Sequence, residues 1–455
     1  MNRRNLIVVD DFLDNPPNIG LTPDKLTDLA SAKALLYGAY AQIRPFVHQS
    51  ALYSAGMMRD VVNRNRGEYD NFYGHEISAN MTSWQYTSGF TALGTVNKIF
   101  ADNLANTAAT DAEKSAVLAD AHFLRALIYF DLNNYWGDPI TDYTVPLLEL
   151  PLSIDDRVSC AKTSELSAFI ESEIETARAH FQEASSGVSN YYAATALAAR
   201  IYFFHEKYDS AYARANEVIT SGQYSLESDV REVFTAPGNS NEIIFKIMFN
   251  SVDGSGVSPS ARIFEAYQAS PTLGFYSMNP NGVAAEMIMD EDDARFTGLY
   301  SSDDDYIYVE KYTTDQMHYQ YIRLAEMYLT RAEANIMVNG SVNQQDVDDI
   351  NALRNRSKSS SVLTSIPTKD QALNMLFEDR TKELAFELGD HFLNTKRLKF
   401  GIIRTQDEGE GFKTYSEWIE LLLYPFPANE VDIHCLLYTS PSPRDRTRSR
   451  MPSSA

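Results

Sequence analysis

ADAHFLRALIYFDLNNYWGDP, Ala119–Pro139, decides how the chain is read. Phe123, Leu127 and Phe130 fall at helical spacing on one face, and Leu124, Ile128 and Tyr135 on the neighbouring one. Only Asp120, His122, Arg125, Asp131, Asn133 and Asn134 interrupt the apolar surface. The helix is expected to begin near Asp111 and to stop by Gly137-Asp138-Pro139, since proline cannot continue it and glycine supplies a cap. At 1.5 Å per residue, roughly 25 residues span about 37 Å. A helix that long and that apolar needs other helices around it.

Working outward, the same period recurs. Asp24–Ile43 reads as an amphipathic helix through Leu29, Ala32, Leu36, Tyr40 and Ile43. His48–Asn80 carries Gly56, Gly67 and Gly74 and little periodicity, so it is expected to be loop. Thr82–Leu104 is helical again, with Trp84 near its start. A long connection, Thr141–Lys162, leads to a helix over Thr163–Phe181, capped by Thr163 or Ser164. Asn190–Glu206 and Ser210–Ser221 then form a tight Ala-rich pair about a turn at Lys207-Tyr208-Asp209, the unit of tetratricopeptide-type arrays.

Gly222–Gln320 changes period. Asn241–Asn250 and Tyr306–Tyr312 are strand-like, with many Gly, Pro, Ser and Asp between them. Helices return over Tyr321–Met337, Val347–Arg356 and Asp370–Phe386. Arg323 with Glu326, and Glu378 with Lys382, read as exposed helix-face pairs of about 0.3–0.5 kcal/mol each. Residues 424–433 are extended, as two prolines demand. The expected class is mainly α, a tetratricopeptide-like helical-pair scaffold with a loop-rich, partly β region. The expected divisions are an N-terminal segment (1–23), a first scaffold part (24–221), a variable region on the ligand side (222–320), a second scaffold part with the extended segment (321–434), and a tail (435–455).

The 455 residues carry 39 basic against 62 acidic side chains, a net charge of −23, which argues against nucleic acid as a partner. In the tail, four arginines (444, 446, 448 and 450) against Asp445 give +3, leaving −26 on the first 434 residues. So abrupt a change reads as a non-native, read-through end and is excluded from the fold. No run of 18 apolar residues exists to cross a membrane. The start offers only Leu6–Val9 as an apolar stretch, too short for a signal peptide. The expectation is therefore either a cytoplasmic protein or a start that lacks its export signal. Cys160 and Cys435 form no Cys-x-x-Cys and no disulfide framework.

Chemistry is sparse. The eight histidines never pair as His-x-x-x-His, Asp253-Gly254-Ser255-Gly256 lacks the Lys-Ser/Thr of a phosphate loop, and no Gly-x-Ser-x-Gly elbow occurs. The acidic runs 290–293 and 303–305 lack the alternating ligand pattern of a calcium loop and read as solvated loops. No cofactor or metal is expected. The aromatic residues, 27 Tyr and 23 Phe, divide in two. Phe123, Tyr129, Phe130, Tyr202, Phe203 and Tyr328 sit in apolar helices and read as core. Tyr69, Tyr73, Phe275, Tyr276 and Tyr300 sit among polar, glycine-flanked residues, where flat rings suit the C–H faces of sugars. Trp84 opens a helix after such a loop and reads equally as core or as ligand platform. The candidate carbohydrate-binding set is Tyr69, Tyr73, Trp84, Phe275 and Tyr276, with Asp60 as a polar neighbour.

In order along the chain, FLRALIYFDLNNYWGDPI (123–140), YIRLAEMYLTRAEAN (321–335), INALRNRSK (350–358), EDRTKELAFELGDHFLNTKRLKFG (378–401) and YPFPANEVD (424–432) resemble the SusD/RagB family of outer-membrane nutrient-binding lipoproteins of Bacteroidetes. DDFLDNPP (10–17) is similar to the start of mature members. The resemblance implies a SusD-like fold and a non-catalytic, outward-facing surface lipoprotein. It would bind an oligosaccharide or polysaccharide and pass it to a SusC-type TonB-dependent transporter. Helical pairs would face the transporter and loops the sugar. Members carry a lipid-modified cysteine just before the Asp-rich start, where this chain has Val8-Val9, and their C-terminal end is missing beyond Ile433. Sugar contacts in the family follow no fixed motif, so none is carried over. Two other readings stay open: a cytoplasmic tetratricopeptide adaptor that binds peptides, and a glycoside hydrolase acting through some pair among the acids.

Overall fold

The computed structural model describes residues 28–56, 61–63, 77–101, 104, 107–151, 158–183, 189–248, 276–278, 280, 285, 288–312, 314, 317–400, 414–416, 419 and 423–427. Side chains are described for all of these except 45, 48–56, 61–63, 276 and 359.

The deciding helix is α3, Asp111–Trp136. A capping box starts it: Thr110 accepts from the Glu113 amide, and the Glu113 carboxylate accepts from the Thr110 amide. Gly137 ends it in extended conformation, donating its N–H to the Asn133 carbonyl at 2.9 Å. A Cβ at position 137 would collide with that same carbonyl, so the stop requires glycine. Phe123, Leu124, Leu127, Ile128, Tyr129 and Leu132 are all fully buried, as the pattern predicts.

Around it lie α1 (Leu29–Gly56), α2 (Ser83–Ala101), α4 (Thr163–Glu183), α5 (Tyr191–Phe204) and α6 (Tyr208–Thr220). Each packs on the next, α1 on α2, α2 on α3, α3 on α4, α4 on α5 and α5 on α6. Helix α8 (Leu324–Asn339) packs on α6 and carries α9 (Gln344–Ser357) and α10 (Lys369–Leu384) on its other sides. This is the tetratricopeptide-like stacking of helical pairs expected from the Ala-rich repeats, in which every unit buries its face on a neighbour. A short α7 (Ala294–Leu299) precedes α8, and α11 (Asp390–Arg397) follows α10.

The strands are few and short. β1 (Val61–Asn63), β5 (Tyr276–Met278), β7 (Ile307–Val309) and β6 (Tyr300–Ser302) form one antiparallel sheet in that order. β2 (Tyr143–Pro146) pairs with β3 (Cys160–Lys162), and β4 (Ile243–Ile247) with β8 (Tyr319–Arg323).

Three expectations change. Helix α1 runs to Gly56, past the His48 boundary where periodicity fades. Phe46 and Val47 are fully buried, and the Phe46 ring lies against Gly89 of α2, so tertiary packing extends the helix. The stretch expected as one helix from Tyr321 opens as strand β8, and the helix starts at Leu324. Ile243 lies opposite Arg323 and Phe245 opposite Ile322, and all five β8 residues are buried, so no alternation marks the strand in sequence.

The third correction concerns charge. Arg323 and Glu326 are 1% and 3% exposed, not a surface pair. Arg323 reaches Glu242 at 2.8 Å, Glu383 at 2.6 Å and Glu387 at 2.8 Å, while Glu326 takes Arg200 through bonds of 2.8 and 2.5 Å. Lys382 lies half-buried, 3.9 Å from both Asp290 and Asp293. The web continues through Lys311 to Glu387 at 2.7 Å, Arg356 to Glu242 and Glu383, Arg295 to Asp293 and Asp379, and Arg354 to Asp379. Five cations (Lys311 and Arg295, 323, 354 and 356) thus meet five carboxylates (Glu242, 383 and 387, Asp293 and 379) where β4, α7 and the residues after β7 approach β8, α9 and α10. The 290–293 run is correspondingly only in part a solvated loop: Glu291 and Asp292 are exposed, while its two ends are engaged. Asp293 is 1% exposed against Arg295, and Asp290 holds Lys358 at 2.5 Å.

Candidate functional site

The antiparallel register of α1, α2 and α3 sets which ends meet. Thr95 of α2 donates to Gln42 of α1 at 2.9 Å, and Gly89 lies between Phe46 of α1 and Leu132 of α3. The C-terminus of α1, the N-terminus of α2 and the C-terminus of α3 therefore share one end of the bundle. β1 starts five residues after α1 ends, so it lies within about 18 Å of that end. Its Asn63 is in register with Tyr276 of β5.

Trp84 occupies the first turn of α2 at this end and is 55% exposed, so it is not part of the core. Its neighbours are held firmly. Ser83 turns its hydroxyl back to the Asn80 carbonyl at 3.2 Å. Thr82 is fully buried and donates to the Pro425 carbonyl at 3.2 Å. The Tyr86 ring packs 4.6 Å from Phe90, 5.4 Å from Trp136 and 6.1 Å from Phe426. The buried Trp136 donates its indole N–H to the same Pro425 carbonyl at 3.2 Å. Tyr424 donates its amide to the Tyr135 carbonyl at 3.0 Å and stacks on the Tyr135 ring at 5.1 Å. One large ring thus faces solvent next to rings that are buried (Tyr86, Tyr135, Trp136, Tyr424) or partly so (Phe90, Phe426).

The turn after α3 adds to this end. Asp138 accepts from the Ile140 amide at 2.7 Å and from the Thr141 hydroxyl at 2.7 Å, and Asp142 takes a positive φ of 58°. The turn leaves Ile140 57% and Tyr143 53% exposed. Neither residue stands out in sequence, since Ile140 directly follows the helix stop and Tyr143 lies in the 141–162 connection, which has no period. The only advance signal is the turn-forming Gly137-Asp138-Pro139.

Of the other expected site residues, Asp60, Tyr69, Tyr73 and Phe275 lie outside the described residues, and Tyr276 is described as backbone only. Tyr300 is corrected. It is 5% exposed in β6, its ring 6.3 Å from Phe296 and 6.4 Å from Phe386, so it packs rather than binds. Among the described residues, no three His, Cys, Asp or Glu side chains could hold a metal ion together. Burial pushes the Cys160 thiol up to about 12, so it carries little thiolate at neutral pH.

Two places hold groups suited to acid–base chemistry. A shallow open groove of about 560 Å³ on the outer face of α4 is lined by Glu171, Glu175, His180 and Tyr202 among others. Its carboxylates are already engaged. Glu171 takes His205 at 2.8 Å and Lys207 at 2.5 Å, and Glu175 takes Arg214 at 3.0 Å and the Tyr202 hydroxyl at 3.1 Å. Burial raises the Asp131 carboxyl to about 7, a value fit for a general acid, but the residue is sealed inside the bundle at 7% exposure.

A model of the SusD family matches residues 299–416. Over 160 residues the chain is 26% identical to a SusD-like protein, P25, from Formosa agariphila. That match covers 33% of this chain and 29% of the relative, so the chain matches less than a third of the relative's length. The fold is similar to that of a SusD superfamily protein from Bacteroides thetaiotaomicron (TM-score 0.78, 19% identity, 90% of this chain and 98% of that one). It is also similar to a SusD-like carbohydrate binding protein from Bacteroides vulgatus (TM-score 0.77, 15% identity, 91% and 98%).

Proposed function

We propose, from the premise that this chain belongs to the SusD/RagB family, that it is a glycan-binding protein of nutrient uptake that breaks no bond in its ligand. In this reading it works at the cell surface, anchored to the outer membrane by lipid, and hands oligosaccharide to a SusC-like TonB-dependent transporter. The helical pairs face the transporter, and the end of the bundle that carries Trp84 faces the sugar.

The observation that carries the reading is Trp84. A 55%-exposed indole on a fixed helix start is the surface a pyranose C–H face stacks on. Rigid mounting lowers the ordering cost of weak sugar contacts. Tyr276, whose strand is tied in register to β1 at the same end, is the second expected platform. No helix of the described residues is long and apolar enough to cross a membrane, which is compatible with attachment through lipid.

Affinity electrophoresis against plant, host and microbial polysaccharides tests the reading. One glycan class should retard the protein, with no reducing ends appearing over time. Trp84→Ala should weaken that binding by about tenfold or more, the loss expected of a central aromatic anchor. Equal retardation of Trp84→Ala and the parent would remove Trp84 from the site, and accumulating reducing ends would replace binding with hydrolysis.

A further inference from the structure

We infer that Thr82 and Trp136 are positioning residues for the Trp84 indole and that they act by clamping the carbonyl of Pro425. The inference rests on the reading of Trp84 as the sugar platform and adds what holds it. The segment 423–427 crosses the shared end of α2 and α3, 343 residues from Thr82 in sequence. One carbonyl accepts both donors, each at 3.2 Å: the Thr82 hydroxyl from just before α2 and the Trp136 indole from the last turn of α3.

The geometry brackets Trp84. Two residues before it, Thr82 is fully buried and tied to Pro425. Two residues after it, the Tyr86 ring is 3% exposed between Trp136 and Phe426. Tyr424 closes the strap, its ring 5.1 Å from both Tyr135 and Trp136, and edge-on to the latter. With both flanks fixed to one strap, the first turn of α2 has a single orientation, and the exposed indole inherits it. The strap side chains need not touch sugar for this. They set where the ring points, and contacts so pre-organised bind at lower ordering cost.

The test uses the full chain labelled with 5-fluorotryptophan. The sequence holds three tryptophans, Trp84, Trp136 and Trp418, and Trp84→Phe identifies the first fluorine resonance. Thr82→Val keeps the shape and deletes the hydroxyl, and Thr82→Ser restores it. Thr82→Val should shift or broaden the Trp84 resonance, and Thr82→Ser should return it. For the polysaccharide that retards the parent, Thr82→Val should weaken binding about threefold to tenfold, as loss of one positioning hydrogen bond would, and Thr82→Ser should recover it. Trp136→Phe, which keeps a ring and removes the N–H, should act in the same direction.

An unmoved Trp84 resonance in both Thr82→Val and Trp136→Phe overturns the inference, whatever happens to melting temperature. A resonance that moves while Trp84→Ala binds like the parent upholds the clamp and rejects the platform. The two claims therefore fail separately.

Discussion

Replacing Arg323 by methionine should destabilise the fold by about 3–5 kcal/mol, the cost of leaving buried carboxylates without their cation. Arg323 is 1% exposed and serves Glu242, Glu383 and Glu387, with a further bond of 2.6 Å to the Glu383 carbonyl. Without it, the three carboxylates keep Arg356 and Lys311 close by, and Arg295 at 3.9 Å from Glu383. Burial pushes the Glu383 carboxyl up, but Arg356, Arg323 and Arg295 outweigh that and hold it well below the usual carboxylate range. A carboxyl so depressed contributes stability above its unfolded value near 4 and loses it as pH falls through the folded one. In the Arg323→Met variant that depression shrinks, so acid unfolding should begin at higher pH as well. Urea denaturation at neutral pH with an unchanged m-value measures the first effect, and the acid midpoint measures the second. A loss below about 1 kcal/mol would mean that the web is satisfied without its central guanidinium.

That web shows where sequence reasoning stops. Helices α3 to α6 and α8 to α10 are legible because their apolar periods are strong and their ends carry signals. Thr110 with Glu113, and Thr368 with Gln371, are capping boxes, and Gly340 sits at a φ of 69° after α8. Arg323 and Glu326 are spaced as helix-surface partners would be, and nothing local distinguishes them from such a pair. Their true partners, Glu387 and Arg200, lie 64 and 126 residues away. Strand β8 is hidden for the same reason, since it is defined by pairing with β4 across a long insertion. At the candidate site, Trp84 is visible as an aromatic at a helix start, but nothing local shows that it is exposed while its neighbours pack against residues 423–427. The rings that pack on one another, Tyr86, Trp136 and Tyr424, look no different in sequence from the one that does not.

Asp131 should make the protein less stable as pH rises, and Asp131→Asn should remove that dependence. The carboxyl lies on α3 in the centre of the bundle, where burial raises it from 3.8 to about 7 against the opposing pull of Arg200 and the Tyr321 hydroxyl. Arg200 is committed elsewhere, bidentate to Glu326 and bonded to the Tyr321 carbonyl at 2.7 Å, so Asp131 has no cation of its own among the described residues. Its hydrogen bond from Tyr321 is 3.3 Å long. Between about pH 4 and pH 7 the folded chain therefore holds a proton that the unfolded chain has released, and stability falls across that window as pH increases. Above it the full cost of the buried charge applies, about 4 kcal/mol, since the rise from 3.8 to about 7 is roughly three tenfold gains in proton affinity on folding and each corresponds to about 1.4 kcal/mol. Other groups, Glu383 among them, titrate with the opposite sign, so the parent's profile alone is ambiguous. The difference between Asp131→Asn and parent isolates the residue. It should be near zero at pH 4, grow in favour of the variant through pH 5–7 and level off by about pH 8. A difference that is flat with pH, or that favours the parent above pH 7, would show that Asp131 is ionised in the native fold and paired more strongly than its 3.3 Å contact implies.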